Sequence, residues 1–196
     1  NEPTVTMRHP IFGVDIETYV SQVLSSRAVA GARLKPLFAV VTGVGRGKTR
    51  MLVEIQRRLN EKPNVFCIAI TFNSFWTDIL RDTTHNAVRF HYAVNVVARI
   101  ISINYHMPFH KAAALLNRAL QNLDIAIADD PPELIHECVK YIVEQYRAKG
   151  EMIDQFVLLV DESLAIQEKL DPKNQLDIHG TLRECLLTRQ IGRAHV

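Results

Sequence analysis

Cysteines, glycines, prolines and long apolar runs are all scarce in this chain of 196 residues. The three cysteines are an odd number at wide spacing, which excludes a self-contained disulfide framework, supplies no zinc knuckle and suits a reducing compartment. No apolar run approaches the roughly 20 residues that a membrane-spanning helix needs, so we expect no membrane partner. With 47% hydrophobic residues, the chain can still bury the core of one domain. The cysteines are Cys67, Cys138 and Cys185.

A strong excess of one charge is lacking as well. The formal net charge is +2 and the isoelectric point is about 8.5, a balance too slight to indicate nucleic-acid or membrane binding by itself. We therefore expect any nucleic-acid or protein target to be met by a local patch or through domains that this sequence does not contain.

Both ends of the sequence indicate a fragment of a larger protein. The chain begins at Asn1 without a methionine, so we expect its natural start, with any targeting signal, to lie upstream. The cysteine content favours an intracellular location, in the cytoplasm or the nucleus. Residues 191–196 resemble the translation of a common sequencing adapter, and we interpret them as a read-through scar after Gln190.

Three of the eight glycines alternate within one short loop, between an apolar run that starts at Leu37 and a helical pattern. Because glycine has no Cβ, such a loop can turn its N–H groups toward an anion at the N-terminus of the next helix, so it predicts a nucleotide phosphate cradle. We expect Lys48 to reach the β- and γ-phosphates of ATP and Thr49 to place its hydroxyl on a magnesium ion. The predicted nucleotide-binding residues are Gly43, Val44, Gly45, Arg46, Gly47, Lys48, Thr49 and Arg50.

The loop departs from the usual form of this motif at one position. Where that form begins with glycine, this chain has Thr42, and we expect Gly43 to take over the turn. A glycine-rich turn that binds nothing is the alternative. The context favours the cradle, because a buried-strand pattern precedes the loop and apolar residues at helical spacing follow it. These apolar residues are Met51, Leu52, Ile55 and Leu59.

A second motif lies far along the chain, where the apolar strand that starts at Gln155 ends in Asp161 and Glu162. This is a Walker B pattern. We expect Asp161 to hold the magnesium ion directly or through water, and Glu162 to polarise the water that attacks the γ-phosphate. A strand that ends in Asp-Glu is common, but its order after the phosphate loop indicates two strands of one sheet with a helical insertion between them.

Glu162 narrows the reaction, because small-molecule phosphotransferases with this loop generally lack a carboxylate directly after the magnesium aspartate. ATP hydrolysis is therefore favoured over kinase chemistry. A GTPase is disfavoured, since Asp161 is followed by Glu162, Ser163 and Leu164 rather than by the Asp-x-x-Gly pattern. The chain also contains no Asn-Lys-x-Asp.

Together these segments resemble the P-loop ATPase domains of retrotransposon hot spot proteins and Crinkler-type effectors. The resemblance covers roughly residues 36–163 and rests on the loop from Val40 to Arg50, the strand from Val65 to Asn73, and Leu159 to Glu162. It implies a STAND- or AAA-like ATPase module, often joined to a nuclease-like or other effector domain and associated with nuclei or mobile elements. The family's nucleotide roles carry over only to Gly43, Gly45, Gly47, Lys48, Thr49, Asp161 and Glu162.

We expect an α/β P-loop NTPase fold, a parallel sheet flanked by helices, with a helical insertion between the Walker A and Walker B strands. Residues 1–35 are predicted to form an N-terminal helical segment and residues 36–190 an incomplete NTPase core whose insertion spans about 74–150. The sensor strand expected between the two motif strands is missing from this sequence. The predicted helices of the insertion lie near 74–81, 87–103, 108–123 and 132–149, with others at 163–170 and 181–189.

Other polar residues give weaker indications. His106 and His110 have a metal-ligand spacing, but Pro108 interrupts them and no third ligand follows, so we interpret both as surface or core residues. Three residues lie at or after the carboxyl end of the strand that starts at Val65, and open α/β sheets bind ligands at such strand ends. Packing explains the tryptophan among them equally well. They are Asn73, Trp76 and Arg81.

The sequence therefore predicts ATP binding and magnesium-dependent ATP hydrolysis by one module of a larger protein. Lys48 and Glu162 are the predicted catalytic residues, and Thr49 and Asp161 the predicted metal ligands. Two alternatives stay open: a nucleotide-binding regulatory switch with negligible turnover, and a small-molecule kinase. A homo-oligomer is a candidate source of an arginine finger.

Overall fold

The computed structural model describes residues 15–25, 47–72, 85–122 and 131–161. In this part of the chain, five helices and two strands form a mixed α/β structure. None of these helices combines the length and apolar character that a membrane crossing requires. In chain order the elements are α1 (Ile16–Ser25), α2 (Lys48–Asn60), β1 (Val65–Thr71), α3 (His85–Asn104), α4 (Phe109–Asn122), α5 (Pro131–Ala148) and β2 (Gln155–Asp161).

Most of the elements predicted within these ranges are confirmed to within a few residues. Both strands are present, and three helices lie where the insertion was expected, as α3, α4 and α5. The N-terminal helix is present as α1. The strand expected before the phosphate loop and the helices predicted at 74–81, 163–170 and 181–189 lie outside the described residues, as do residues 191–196.

The two strands pair in parallel, with Val65 opposite Gln155 and Thr71 opposite Asp161. Parallel strands need a long crossover, and α3, α4 and α5 supply it. Asn64 anchors the beginning of the pair, because its carbonyl accepts the N–H of Gln155 at 3.1 Å. Since the strands run in the same direction, they end at the same edge of the sheet, with Thr71 beside Asp161.

Successive residues of each strand enter two different hydrophobic cores, because side chains alternate between the faces of a sheet. On one face, Ile68 and Ile70 pack in the larger core with α3, α4 and α5. On the other face, Cys67 packs with α1 and α2, where Val20 and Leu59 are almost completely buried. Burial on both faces explains why each strand reads as a nearly continuous apolar run.

The helices α3 and α5 end in the same hydrogen-bonded turn with different residues in its left-handed position. After α5, Gly150 has φ +85°, and the N–H groups of Gly150 and Glu151 return to the carbonyls of Arg147 and Tyr146 at 2.9 and 3.0 Å. After α3, His106 takes the equivalent place with φ +50° and an equivalent pair of bonds. His106 is exposed there, so of the two interpretations that the sequence left open, surface or core, it is a surface residue.

Gly150→Ala and His106→Gly should change stability in opposite directions. We expect Gly150→Ala to lower the free energy of unfolding by about 1 kcal/mol, because an L-residue is strained in the left-handed conformation. His106→Gly should raise it by about 0.5 kcal/mol, since relief of that strain exceeds the added entropy of the unfolded chain. Urea unfolding measures both differences, and a stabilising alanine at position 150 would contradict the turn geometry.

Candidate functional site

Helix α2 begins directly after a glycine in the left-handed conformation. Gly47 has φ 78° and ψ 29°, and its carbonyl accepts the N–H of Met51 at 2.9 Å. A Cβ on Gly47 would meet nothing within 4 Å, so a side chain would have room here. Glycine is favoured because the positive φ strains any other residue. No described side chain caps this end of the helix. The first N–H groups of α2 are therefore oriented to bind an anion, which the helix dipole also favours.

The hydroxyl of Thr49, in the first turn of α2, donates a hydrogen bond to the carboxylate of Asp161 at the end of β2. Thr49 Oγ1 lies 2.5 Å from Asp161 Oδ2, although the residues are 112 positions apart in sequence. The parallel register places Asp161 beside Thr71, and the N–H of Phe72 donates to the Asp161 carbonyl at 3.2 Å. The tertiary structure thus brings together the two residues that separate motifs predict as ligands of one metal ion.

Asp161 is only 6% exposed, an unusual position for a carboxylate. Among the described side chains, the Thr49 hydroxyl bonds to it, and no lysine, arginine or histidine forms an ion pair with it. Buried charges in proteins are normally paired or coordinate a metal. The chemistry of the site therefore suits a cation.

Oxygen atoms from a hydroxyl and a carboxylate suit magnesium, which protein sites often hold through one or two carboxylates together with substrate phosphates. Within the described ranges, no group of three or more His, Cys, Asp or Glu side chains could hold a metal ion. Among the described residues, Thr49 and Asp161 would supply two oxygen ligands, and oxygen atoms of a bound phosphate or of water could fill further positions. Such a shared set of ligands is typical of a magnesium ion that binds together with a nucleotide.

The structure describes only part of the predicted site. Lys48 and Arg50 lie in the first turn of α2, and both are partly buried. Arg50 Nε is buried and makes no hydrogen bond to the described residues. The remaining predicted site residues lie outside the described residues, as do the weaker candidates after the second strand. They are Gly43, Val44, Gly45, Arg46, Glu162, Asn73, Trp76 and Arg81.

Two further buried polar residues approach this edge of the sheet from α3, and neither was predicted from the sequence. Asn95 and Arg99 are 1% and 6% exposed. Arg99 Nε donates to the carbonyl of Thr71 at 2.8 Å, and its Nη1 donates to the backbone and side-chain oxygens of Asn95, both at 3.1 Å. The guanidinium lies over the rings of Phe72 and Phe109, at 4.5 and 4.6 Å from their centroids. Burial lowers the pKa of Arg99 to about 10, so the group stays charged at neutral pH.

The sequence does carry a signal for this pair. Residues 92–101 read as a nearly continuous apolar helix, and Asn95 and Arg99 interrupt it four positions apart, on one face. Polar residues at that spacing in a helix that is otherwise buried indicate a buried polar contact. The pattern could not identify Thr71 as the partner, because that contact joins different elements through a backbone carbonyl.

Comparisons of the chain with protein-family models, with curated proteins and with solved structures found no match. The resemblance to P-loop ATPase domains therefore stays a prediction that rests on the motif residues. Independently of that resemblance, Gly47 lies directly before α2, and Thr49 in the first turn of α2 contacts Asp161.

Asp161→Asn should raise the free energy of unfolding of the nucleotide-free protein by about 1 kcal/mol, because a neutral amide costs less to bury than a carboxylate. Its carbonyl oxygen can still accept the hydrogen bond from Thr49. Urea unfolding measures the change. The matched control is Asp154→Asn, at an exposed aspartate that accepts a hydrogen bond from Asn64 Nδ2 at 3.0 Å, where we expect no gain. A lower free energy of unfolding in Asp161→Asn would contradict the interpretation that the buried carboxylate lacks compensation when no cation is bound.

Proposed function

We propose that this chain is a P-loop ATPase module that binds ATP with magnesium and hydrolyses the γ-phosphate. The contact between Thr49 and Asp161 at the N-terminus of α2 is the observation that carries the proposal. A hydroxyl and a carboxylate 2.5 Å apart, beside a helix end that favours anions, suit the combination of a cation and a polyphosphate. The parallel pair β1 and β2 adds support, since ligands bind at the carboxyl ends of strands in open α/β sheets.

In this proposal each site residue has a separate role. Lys48 and the first N–H groups of α2 bind the phosphates, and the loop from Gly43 to Arg46 completes the cradle. Thr49 and Asp161 hold the magnesium ion, which when bound neutralises charge on the β- and γ-phosphates. Glu162 accepts a proton from water as the water oxygen attacks the γ-phosphorus and the bond to ADP breaks.

The wider assignment follows the resemblance of the motifs. We place the described strands in the parallel sheet of a P-loop NTPase core, within a larger protein of the retrotransposon hot spot or Crinkler type. Such a protein would act inside the cell and reach a nucleic-acid or protein target through its other domains. A neighbouring copy in a homo-oligomer would be the source of an arginine finger.

Lys48→Ala should weaken magnesium-dependent ATP binding by about tenfold or more, because the variant loses a charged contact to the phosphates. Titration of a fluorescent ATP analogue with excess magnesium measures the affinity. Lys62→Ala is the matched control, since Lys62 is exposed beyond the opposite end of α2, and we expect wild-type affinity there. Equal affinity in wild type and Lys48→Ala, or no binding in either, would mean that the glycine loop is only a turn.

Glu162→Gln should retain ATP binding and lose phosphate release, because the amide cannot take a proton from the attacking water. A coupled phosphate assay without any added acceptor measures turnover, and the same titration measures binding. Binding without turnover in the wild type would instead favour the regulatory switch. Turnover that begins only when an acceptor is added would favour a small-molecule kinase.

A further inference from the structure

Among the described residues, three polar or charged side chains are buried, and they are connected to one another by short contacts. They are Asn95, Arg99 and Asp161. Asn95 and Arg99 lie on the middle of α3, whereas Asp161 ends β2, the strand that pairs with β1. A chain of short contacts connects them, and it passes through the last backbone groups of β1.

The first links hold α3 to the end of β1. Asn95 Nδ2 donates to the carbonyl of His91 at 2.9 Å, which orients its oxygen toward Arg99 Nη1. Arg99 Nε then donates to the carbonyl of Thr71, the final residue of β1, at 2.8 Å. The rings of Phe72 and Phe109 lie near the guanidinium and restrict its position.

The next links lead from β1 to the proposed metal ligands. Thr71 and Phe72 share one peptide unit, so the bond from Arg99 fixes the carbonyl of the same planar group whose N–H belongs to Phe72. That N–H donates to the Asp161 carbonyl at 3.2 Å, and the Asp161 carboxylate accepts the hydroxyl of Thr49 at 2.5 Å. The guanidinium of Arg99 is therefore joined to the backbone carbonyl of Asp161 through a single peptide group, and the Asp161 carboxylate belongs to that same residue.

A contribution to the stability of the fold does not by itself explain why position 99 is an arginine. Burial of a guanidinium carries a desolvation cost, and apolar residues of similar volume often stabilise a core at least as well. Arginine differs from lysine here because its planar group can lie between aromatic rings and donate in two fixed directions at once. The geometry of Arg99 thus serves the placement of the Thr71 carbonyl.

We infer that Arg99 is a positioning residue for the metal site: it holds the end of β1 and, through the Phe72 peptide, sets where the Asp161 carboxylate meets Thr49. This inference rests on the proposed function, since it assigns Arg99 to the magnesium site of that proposal. Through Arg99, helix α3 of the crossover would influence the magnesium site, although Arg99 itself touches neither the metal nor the nucleotide and acts only through the position of Asp161.

The test compares ATP affinity in excess magnesium with ATP affinity in EDTA, for the wild type and for Arg99→Met. We expect Arg99→Met to reduce the magnesium-dependent gain in affinity by about tenfold or more, as loss of outer-shell partners commonly does at metal sites. Affinity in EDTA should change little, because the phosphate contacts of Lys48 and α2 do not involve Arg99. Loss of the gain with EDTA affinity preserved is an outcome that a merely structural role would not produce.

Further variants separate positioning from folding. Arg99→Lys keeps the charge but cannot make both directed bonds, so it should lose most of the magnesium-dependent gain, while Asn95→Ala should lose part of it. Ile100→Val is the matched control, because Ile100 is the next residue of α3 and is fully buried in the same core. It should lower the urea midpoint and leave the magnesium-dependent gain unchanged. If Arg99→Met does not fold, Arg99→Lys and Asn95→Ala decide the question.

The failures of the two proposals are distinguishable. A wild type that binds no ATP in magnesium overturns the proposed function and this inference with it. A wild type that binds, with Arg99→Met and Arg99→Lys retaining the full magnesium-dependent gain, overturns only the inference. Equal losses of affinity in magnesium and in EDTA would also overturn it, since they would show a general effect on the fold.

Discussion

The buried carboxylate of Asp161 is the group on which the arrangement of the described residues most depends. A charge with so little exposure is costly unless it is paired or hydrogen-bonded, and the hydroxyl of Thr49 at the start of α2 donates a hydrogen bond to it. The N–H of Phe72, the residue after β1, separately holds the backbone carbonyl of Asp161. The ends of α2, β1 and β2 are thereby brought to one place.

Favourable and unfavourable contributions to stability lie in different parts of the described sheet, the first on its two faces and the second at its carboxyl edge. Apolar burial on both sides of the strands supplies the favourable free energy, with Ile68 and Ile70 on one face and Cys67 on the other. The polar groups at the carboxyl edge, by contrast, cost free energy to bury and return little of it. Functional sites often carry such a cost in stability, because they require a defined geometry of polar groups.

Much of the local structure could be predicted because it depends on neighbouring residues. Apolar periodicity located both strands and the helices of the crossover, and the glycine before Lys48 indicated the start of α2. The turn at His106 could not be predicted in the same way, because glycine is the usual residue at that position and histidine has no comparable preference. The hydrogen bonds from the N–H groups of His106 and Met107 to the carbonyls of Ile103 and Ser102 hold the turn in which His106 is left-handed.

The sequence by itself determined which residues are candidates for the site, since Thr49 and Asp161 each belong to a recognisable local motif. It also determined the alternating burial of the strands, because side-chain direction follows from the backbone period. Only the tertiary structure decided that the two residues touch and that Arg99 holds the neighbouring strand end. The physical reason is that these contacts join residues far apart in the chain, partly through backbone groups that every residue carries, and no local pattern specifies them.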